Sequence, residues 1–320
     1  MGLPIVAIVG PTACGKTRLS IALCQALSGE AISMDSMQVY RRMDVGTAKP
    51  TLKERAGVRH HMLDVASPRE NFTVSSYREG AQRAIADIAA RGKLPVLVGG
   101  TGLYLNALTY QMEFAESMGD EAIRARLHAV ADAPKGRARL HAMLEAVDPA
   151  SARRLHENDV RRVVRALEVY EITGKPMSAH ADVRRPNTAY APLIYGLTMA
   201  RERLYARIDA RVDAMLASGL VEEVQGLLEQ GIEPGIAGAM QAIGYKETVA
   251  ALQGNCTLEE AAIAIKRESR RYAKRQWTWF RGDARVRWIH WEDYESFEAM
   301  REAFVARVAE DLKDLKENRE

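Results

Sequence analysis

The sequence is short of cysteine. It has three in 320 residues, Cys14, Cys24 and Cys256, an odd number at wide spacings with no C-x-x-C pair. That argues against a disulfide framework and against a zinc site. There is no apolar run of about 18 residues, so no membrane span is expected. Leu3–Val9 is apolar, but no basic stretch precedes it and it runs into Gly10 and Pro11, so it reads as a first strand rather than a signal peptide. Val6 stands where a myristoylation signal needs Ser or Thr. Excess charge is also missing: the formal balance is +3, so only local clusters can speak for nucleic acid. Internal repeats and low-complexity segments are absent. With 47% hydrophobic and 27% charged residues the composition is that of a soluble globular chain. A cytoplasmic protein is expected, and at about 150 residues per domain the length suggests about two domains.

What is present is an alternation of strands and helices. Strands are expected at Leu3–Val9, Ala31–Met34, Leu94–Val98, Leu193–Met199 and Val286–Trp291. Helices are expected at Arg18–Leu27, Val74–Arg91, Leu103–Thr109, Arg201–Ser218, Val221–Gln230 and Leu258–Arg281. Gly219, Gly231 and Gly282 follow the last three as left-handed stops. This pattern implies an α/β fold, a parallel sheet with helices on both faces, whose ligands sit beyond the carboxyl ends of the strands. Between these parts lies a stretch with no good strand, many arginines and punctuating prolines. The division expected is a discontinuous P-loop α/β core over 1–112 and 188–294, an all-helical insert over 113–187, and a charged C-terminal helix or tail over 295–320. His60-His61 reads as a loop pair and not as a metal site.

Gly10-Pro11-Thr12-Ala13-Cys14-Gly15-Lys16-Thr17 fits G-x-x-x-x-G-K-[ST] at every fixed position, with a strand before it and a helix after it. Its amides and the helix N-terminus suit phosphate oxygens, Lys16 adds charge, and the Thr17 hydroxyl suits Mg²⁺. An NTPase also needs a carboxylate at a strand end. Leu94–Val98 runs into Gly99-Gly100-Thr101 instead, whereas Ala31–Met34 runs into Asp35. Spacing leaves three roles open for Asp35: metal organiser, base, or turn cap. Gln38 is a candidate reader of an adenine edge, and Thr101 by itself reads as a helix cap.

Six segments carry a resemblance: Gly10–Thr17, Asp35–Tyr40, Met43–Pro50, Val98–Tyr104, Arg165–Tyr170 and Gln241–Glu247. In this order, over about residues 3 to 290, the chain resembles the bacterial tRNA dimethylallyltransferases of the IPP transferase family. The resemblance implies transfer of a dimethylallyl group from dimethylallyl diphosphate to N6 of the adenosine 3′-adjacent to the anticodon (position 37), in tRNAs reading codons that begin with U. It implies Asp35 as general base, Thr101 at the reacting region, and Arg211 with the loop and Mg²⁺ on the leaving diphosphate. tRNA contacts are implied at Asp35, Ser36, Met37, Gln38, Thr101, Arg124, Arg161, Arg162, Val163, Val164, Arg165, Gln241, Ala242, Ile243, Gly244, Tyr245 and Lys246. The partners implied are the tRNA anticodon stem-loop and dimethylallyl diphosphate, with no membrane, and nothing demands more than a monomer.

Lys266, Arg267, Arg270, Arg271, Lys274, Arg275 and Arg281 interleave with Tyr272, Trp277, Trp279 and Phe280, a mixture that suits nucleic acid. The aromatics are expected to pack in the core and the cations to face solvent. Cys14 stands where the family commonly has serine, and alkylating it is expected to block diphosphate binding. Met37 is another departure, and the zinc finger of eukaryotic relatives is absent. The competing readings are an adenylate isopentenyltransferase, a small-molecule P-loop kinase and a non-catalytic RNA-binding module.

Overall fold

The computed structural model describes residues 2–112, 119–181, 185–234 and 238–317. The elements run β1 (Leu3–Val9), α1 (Lys16–Ala26), β2 (Gly29–Met34), α2 (Leu52–Arg55), β3 (His60–His61), α3 (Val74–Ala90), β4 (Leu94–Gly99) and α4 (Gly102–Thr109). Then come α5 (Glu121–Asp132), α6 (Gly136–Val147), α7 (Pro149–Arg154), α8 (Val160–Thr173) and α9 (Met177–Ala181). The chain continues through β5 (Tyr190–Thr198), α10 (Arg201–Ala217), α11 (Leu220–Glu229), α12 (Tyr245–Leu252), α13 (Leu258–Arg281), β6 (Val286–His290) and α14 (Phe297–Glu317). No described helix is long and apolar enough to cross a membrane.

The strands form one parallel sheet in the order β3-β2-β4-β1-β5-β6, the α/β class that the alternation implies. β1 lies between β4 and β5, with Ile8 opposite Val98 and Tyr195. Its side chains divide between two cores: Val6 and Ile8 meet Leu19, Leu23 and Phe304, while Ile5, Ala7 and Val9 meet Ile85, Leu105 and Leu108. Burial on both faces is why β1 is one unbroken apolar run and not an alternating one. A third cluster, with Val39, Met43, Val212, Leu220, Tyr245 and Ile265, supports the segment after β2.

Two compact units separate by contact: Met1–Thr109 with Asn187–Glu320, and Tyr110–Pro186. The second holds five helices among the described residues, around Leu127, Leu140, Leu144, Val163 and Leu167. Asp148 ties its turns together, accepting at Oδ1 from the Ser151 amide and at Oδ2 from the Ser178 amide, both at 2.9 Å. Residues 113–118 of the expected insert and 318–320 of the expected tail lie outside the described residues.

Several expectations need correction. His60-His61 is the edge strand β3, paired to Ala31 and Ile32, and two residues are too short to show a period. The C-terminal helix is no mere charged tail: Phe297, Met300, Phe304 and Val308 are buried in the core shared with α1. Its many charges mask a single apolar stripe at three- and four-residue spacing. Gly219 and Gly231 take the left-handed conformation (φ 98° and 69°), but Gly282 closes α13 at φ −78°. α12 stands where no helix was expected. Gly244 precedes it, and its first turn is closed by Glu247, whose Oε2 accepts from the Gly244 amide at 2.8 Å.

Candidate active site

The phosphate loop leaves β1 at Gly10, whose φ of 133° suits glycine alone. A Cβ there would lie 2.2 Å from the Leu197 carbonyl oxygen. Lys16 Nζ turns back and donates to the Gly10 and Pro11 carbonyls at 2.9 and 2.6 Å. Three later segments hold the loop from outside. Trp291 Nε1 donates to Cys14 O at 2.7 Å, Arg207 Nε donates to Ala13 O at 2.9 Å, and Gln276 Oε1 accepts from Thr12 N at 2.8 Å.

Arg211 comes from α10 and donates to Thr12 Oγ1 at 3.1 Å. α10 is locked to α13 by Asp209–Arg270 and Asp213–Lys266, one helical turn apart on each helix. Burial pushes both the Lys16 ammonium and the Arg211 guanidinium below their ordinary pKa values, and Asp35 opposes the shift in each. Two cations destabilised by desolvation at one loop make an anion a favourable ligand, because it stabilises the charged form of both.

Asp35 follows β2. Its Oδ1 accepts from the Met37 and Gln38 amides at 2.9 and 3.3 Å, so it does cap a turn. It also lines a cavity of about 320 Å³ with Thr12, Met37, Arg211, Gln241 and Tyr272, among others. Arg211 is shared with a second cavity of about 880 Å³, walled by Lys16, Thr17, Arg207 and Arg301. The carboxylate side and the phosphate side thus meet at Arg211.

The loop over the first cavity is fixed by Glu223. Its carboxylate accepts from the amides of Asp44, Val45 and Gly46 at 2.7, 2.8 and 3.0 Å, and from the Tyr245 hydroxyl at 2.5 Å. Lys49, nearly buried, bonds Tyr40 O, Asp44 and Asp64. Thr101 follows β4, and its Oγ1 accepts from the Ser36 amide at 3.3 Å, joining the loops after β4 and β2.

The expected site residues divide. Asp35, Ser36, Met37, Arg211, Gln241, Ala242, Ile243 and Lys246 line the first cavity with Thr12. Gln38 does not line it: its amide accepts from Ser33 Oγ at 3.1 Å and donates to Thr47 O and Ala48 O, so in this structure it braces the loop. The Tyr245 side chain is fully buried. In the helical unit Val163 and Val164 are core residues, and the side chains of Arg161 and Arg162 are exposed. Arg124 and Arg165 each reach the fully buried Glu168 at 2.7 Å.

The basic stretch of α13 is less available than its composition suggests. Lys266 and Arg270 bind α10, and Arg267 and Arg271 bind Glu268. Its aromatics also depart from a core face: Phe280 is buried, Tyr272 lines the site, and Trp277 and Trp279 are exposed. Cys14 is fully buried, which shields its thiol from the expected alkylation.

Sequence reasoning missed Glu223, Gln276, Arg207 and Trp291 altogether, and gave Tyr272 no place at the site. Each lies far along the chain from its partner, so no local pattern could flag it.

A magnesium ion fits this donor set only as a phosphate-linked ion. Among the described residues no group of three His, Cys, Asp or Glu could hold a metal. The Thr17 side chain is exposed at the start of α1. Mg²⁺ commonly takes most of its shell from phosphates and water, so one hydroxyl suffices.

The model of the family described as "IPP transferase" matches residues 38–283. A tRNA dimethylallyltransferase of Symbiobacterium thermophilum is 52% identical over 289 residues, 90% of each chain. The crystal structure of a full-length tRNA isopentenylpyrophosphate transferase from Bacillus halodurans superposes with a TM-score of 0.74 at 44% identity, covering 100% of this chain and 99% of the other. That of a eukaryotic dimethylallyltransferase acting on tRNA gives 0.75 at 32% identity, covering 90% and 74%. With phosphate loop, carboxylate and arginine gathered on one sheet edge, and likeness running the length of the chain, the protein belongs to the IPP transferase family.

Proposed function

We propose that the chain transfers a dimethylallyl group from dimethylallyl diphosphate to N6 of the adenosine next to the anticodon of tRNA. Prenyl transfer to tRNA is the activity of the family to which it belongs. The observation that carries the finer reading is Arg211, which faces both the Asp35 cavity and the phosphate-loop cavity. A carboxylate on one side and cations on the other are what an amine and a diphosphate leaving group require.

In the transfer, a bond forms between N6 and the allylic carbon while the carbon–oxygen bond to the diphosphate breaks. The electron pair of that bond leaves with the diphosphate, and the N6 proton passes to Asp35. An adenine amino group is a poor nucleophile because its lone pair is delocalised, so a carboxylate accepting its hydrogen raises its reactivity as the bond forms. Loop amides, Lys16 and Arg211 oppose the charge that grows on the diphosphate. Thr17 would help to hold Mg²⁺, which when bound would supply positive charge against that build-up.

The target base must leave its stack to enter the Asp35 cavity, and a loop base flips at lower cost than a paired one. Gln241, Ile243 and Lys246 form one wall of that cavity. In the helical unit, Arg161 and Arg162 with the outer edges of Arg124 and Arg165 form the face we assign to the RNA backbone. The test is incubation with Mg²⁺ and dimethylallyl diphosphate plus either an anticodon stem-loop or AMP, followed by mass spectrometry. A five-carbon addition to the stem-loop adenosine alone is expected. Addition to AMP alone, or consumption of ATP without addition, overturns the reading.

A further inference from the structure

We propose that Gln276, with Tyr272 one turn before it on α13, is a positioning residue that sets the gap between the loop holding the leaving group and the loops holding the base. This rests on the transfer reaction proposed above. Gln276 is 5% exposed, yet its amide is spent on the backbones of two loops. Oε1 accepts from Thr12 N at 2.8 Å and Nε2 donates to Gly100 O at 3.1 Å. Thr12 belongs to the phosphate loop. Gly100 precedes Thr101, whose hydroxyl holds the Ser36 amide beside Asp35. Tyr272 lines the Asp35 cavity, where burial raises the pKa of its hydroxyl and the Thr101 and Gln276 side chains oppose that shift.

The chemistry explains why this link matters. Displacement at carbon is fast only when the reacting atoms are held about 3–3.5 Å apart and aligned, and about 1 Å of misplacement can cost 100-fold. The allylic carbon arrives attached to a diphosphate on the phosphate loop. The amine arrives against Asp35, on the loop after β2. Gln276 bonds the first loop directly, and reaches the second through Gly100, Thr101 and Ser36.

Glutamine suits the place because one planar amide carries an acceptor for one loop and a donor for the other. Glutamate keeps the acceptor for Thr12 N but has no donor for Gly100 O. Space at the link is also specified: a Cβ on Gly100 would lie 1.9 Å from Gln276 Nε2.

The experiment uses the full chain, with Gln276→Glu, Tyr272→Phe and the double variant beside the wild type. Transfer to the stem-loop is measured while each substrate is varied in turn. We expect kcat of Gln276→Glu to fall by about 10- to 100-fold, with both KM values within about twofold. Tyr272→Phe should fall in the same direction by a smaller factor, and the double variant should be no worse than Gln276→Glu, as for residues acting as one unit. A residue that merely holds the fold would lower the melting temperature and leave kcat of the folded fraction intact. Unchanged kcat in both single variants, or raised KM with kcat intact, overturns the proposal. If Gln276→Glu does not fold, Tyr272→Phe decides, because it removes one oxygen and keeps the packing. A wild type that transfers nothing overturns the reaction and this proposal with it. An active wild type with equally active variants overturns the positioning role alone.

Discussion

Arg211 donates to the hydroxyl of Thr12 at 3.1 Å, a bond across 199 residues of chain that fixes a helix cation on the phosphate loop. A donor held in place before charge develops costs no reorganisation in the transition state. Arg211→Gln should therefore lower kcat by about 100- to 1,000-fold, the usual loss for one such donor. The melting temperature should hold, because burial disfavours the charge of Arg211 to begin with. Turnover and thermal unfolding on the same preparation check this. A variant with near-normal turnover would remove Arg211 from the leaving-group site.

Asp35 caps a turn and lines the cavity, so alanine would confound two effects. Asparagine keeps an acceptor for the Met37 and Gln38 amides and cannot take a proton. Asp35→Asn should lose about 100- to 10,000-fold in turnover, the range of general base catalysis. Stem-loop affinity, read by fluorescence anisotropy, should change little. A large loss of affinity with turnover intact at saturation would reassign Asp35 to binding.

Glu223 satisfies three loop amides and the Tyr245 hydroxyl. Glu223→Ala leaves these donors without a protein acceptor, at a cost of about 2 kcal/mol from the partly buried ones, Val45, Gly46 and Tyr245. A protein of this size should then melt several degrees lower. The loop carries Gly46 and Thr47 of the cavity wall, so KM for the stem-loop should rise as well. Calorimetry and steady-state kinetics would separate the two effects.

The three thiols should differ in reactivity. Cys14 and Cys24 are buried and Cys256 is partly exposed. Burial also pushes the Cys24 thiol up to about 12, with Glu30 adding to the shift. Titration of the folded protein with a disulfide reagent should release one equivalent quickly, and unfolding in denaturant should release the other two. A rapid second equivalent, blocked by diphosphate, would restore Cys14 as an accessible group.

Acid should act on the helical unit through Asp148. Burial works against its charge, and the bonds from Ser151 and Ser178 outweigh that, drawing the carboxyl down to about 2. A carboxyl lower in the folded than in the unfolded chain stabilises fully above the unfolded value of about 4. That stabilisation fades as pH falls from there towards 2. Asp148→Asn should flatten this part of the stability curve, measured by denaturant unfolding between pH 2 and 5. An unchanged acid slope would exclude the Asp148 contribution.

How much of this was legible depends on the range of each interaction. The phosphate loop, β1 and α1 are contiguous, and their glycines, lysine and β-branched run identify themselves. The parallel sheet followed from alternation alone. By contrast, β3 has two residues and shows no period. The apolar stripe of α14 was hidden among charges. At the site, Asp35 was visible at a strand end, but the link through Gln276 spans 264 residues and leaves no local trace. The same holds for the pairing of Lys266 and Arg270 with α10, which turned an apparent RNA-binding stretch partly into internal mortar.

The bond from Trp291 to Cys14 crosses 277 residues, and that separation bears on how the molecule is made. Chains emerge from the ribosome at about 5–20 residues per second, earlier segments first. The phosphate loop is therefore made many seconds before its outer supports, Arg207, Gln276 and Trp291. Until they arrive, β1 also lacks β5 on one side. A turn whose sequence is local is thus braced only after three distant segments have been made, so its final shape is a late product of folding.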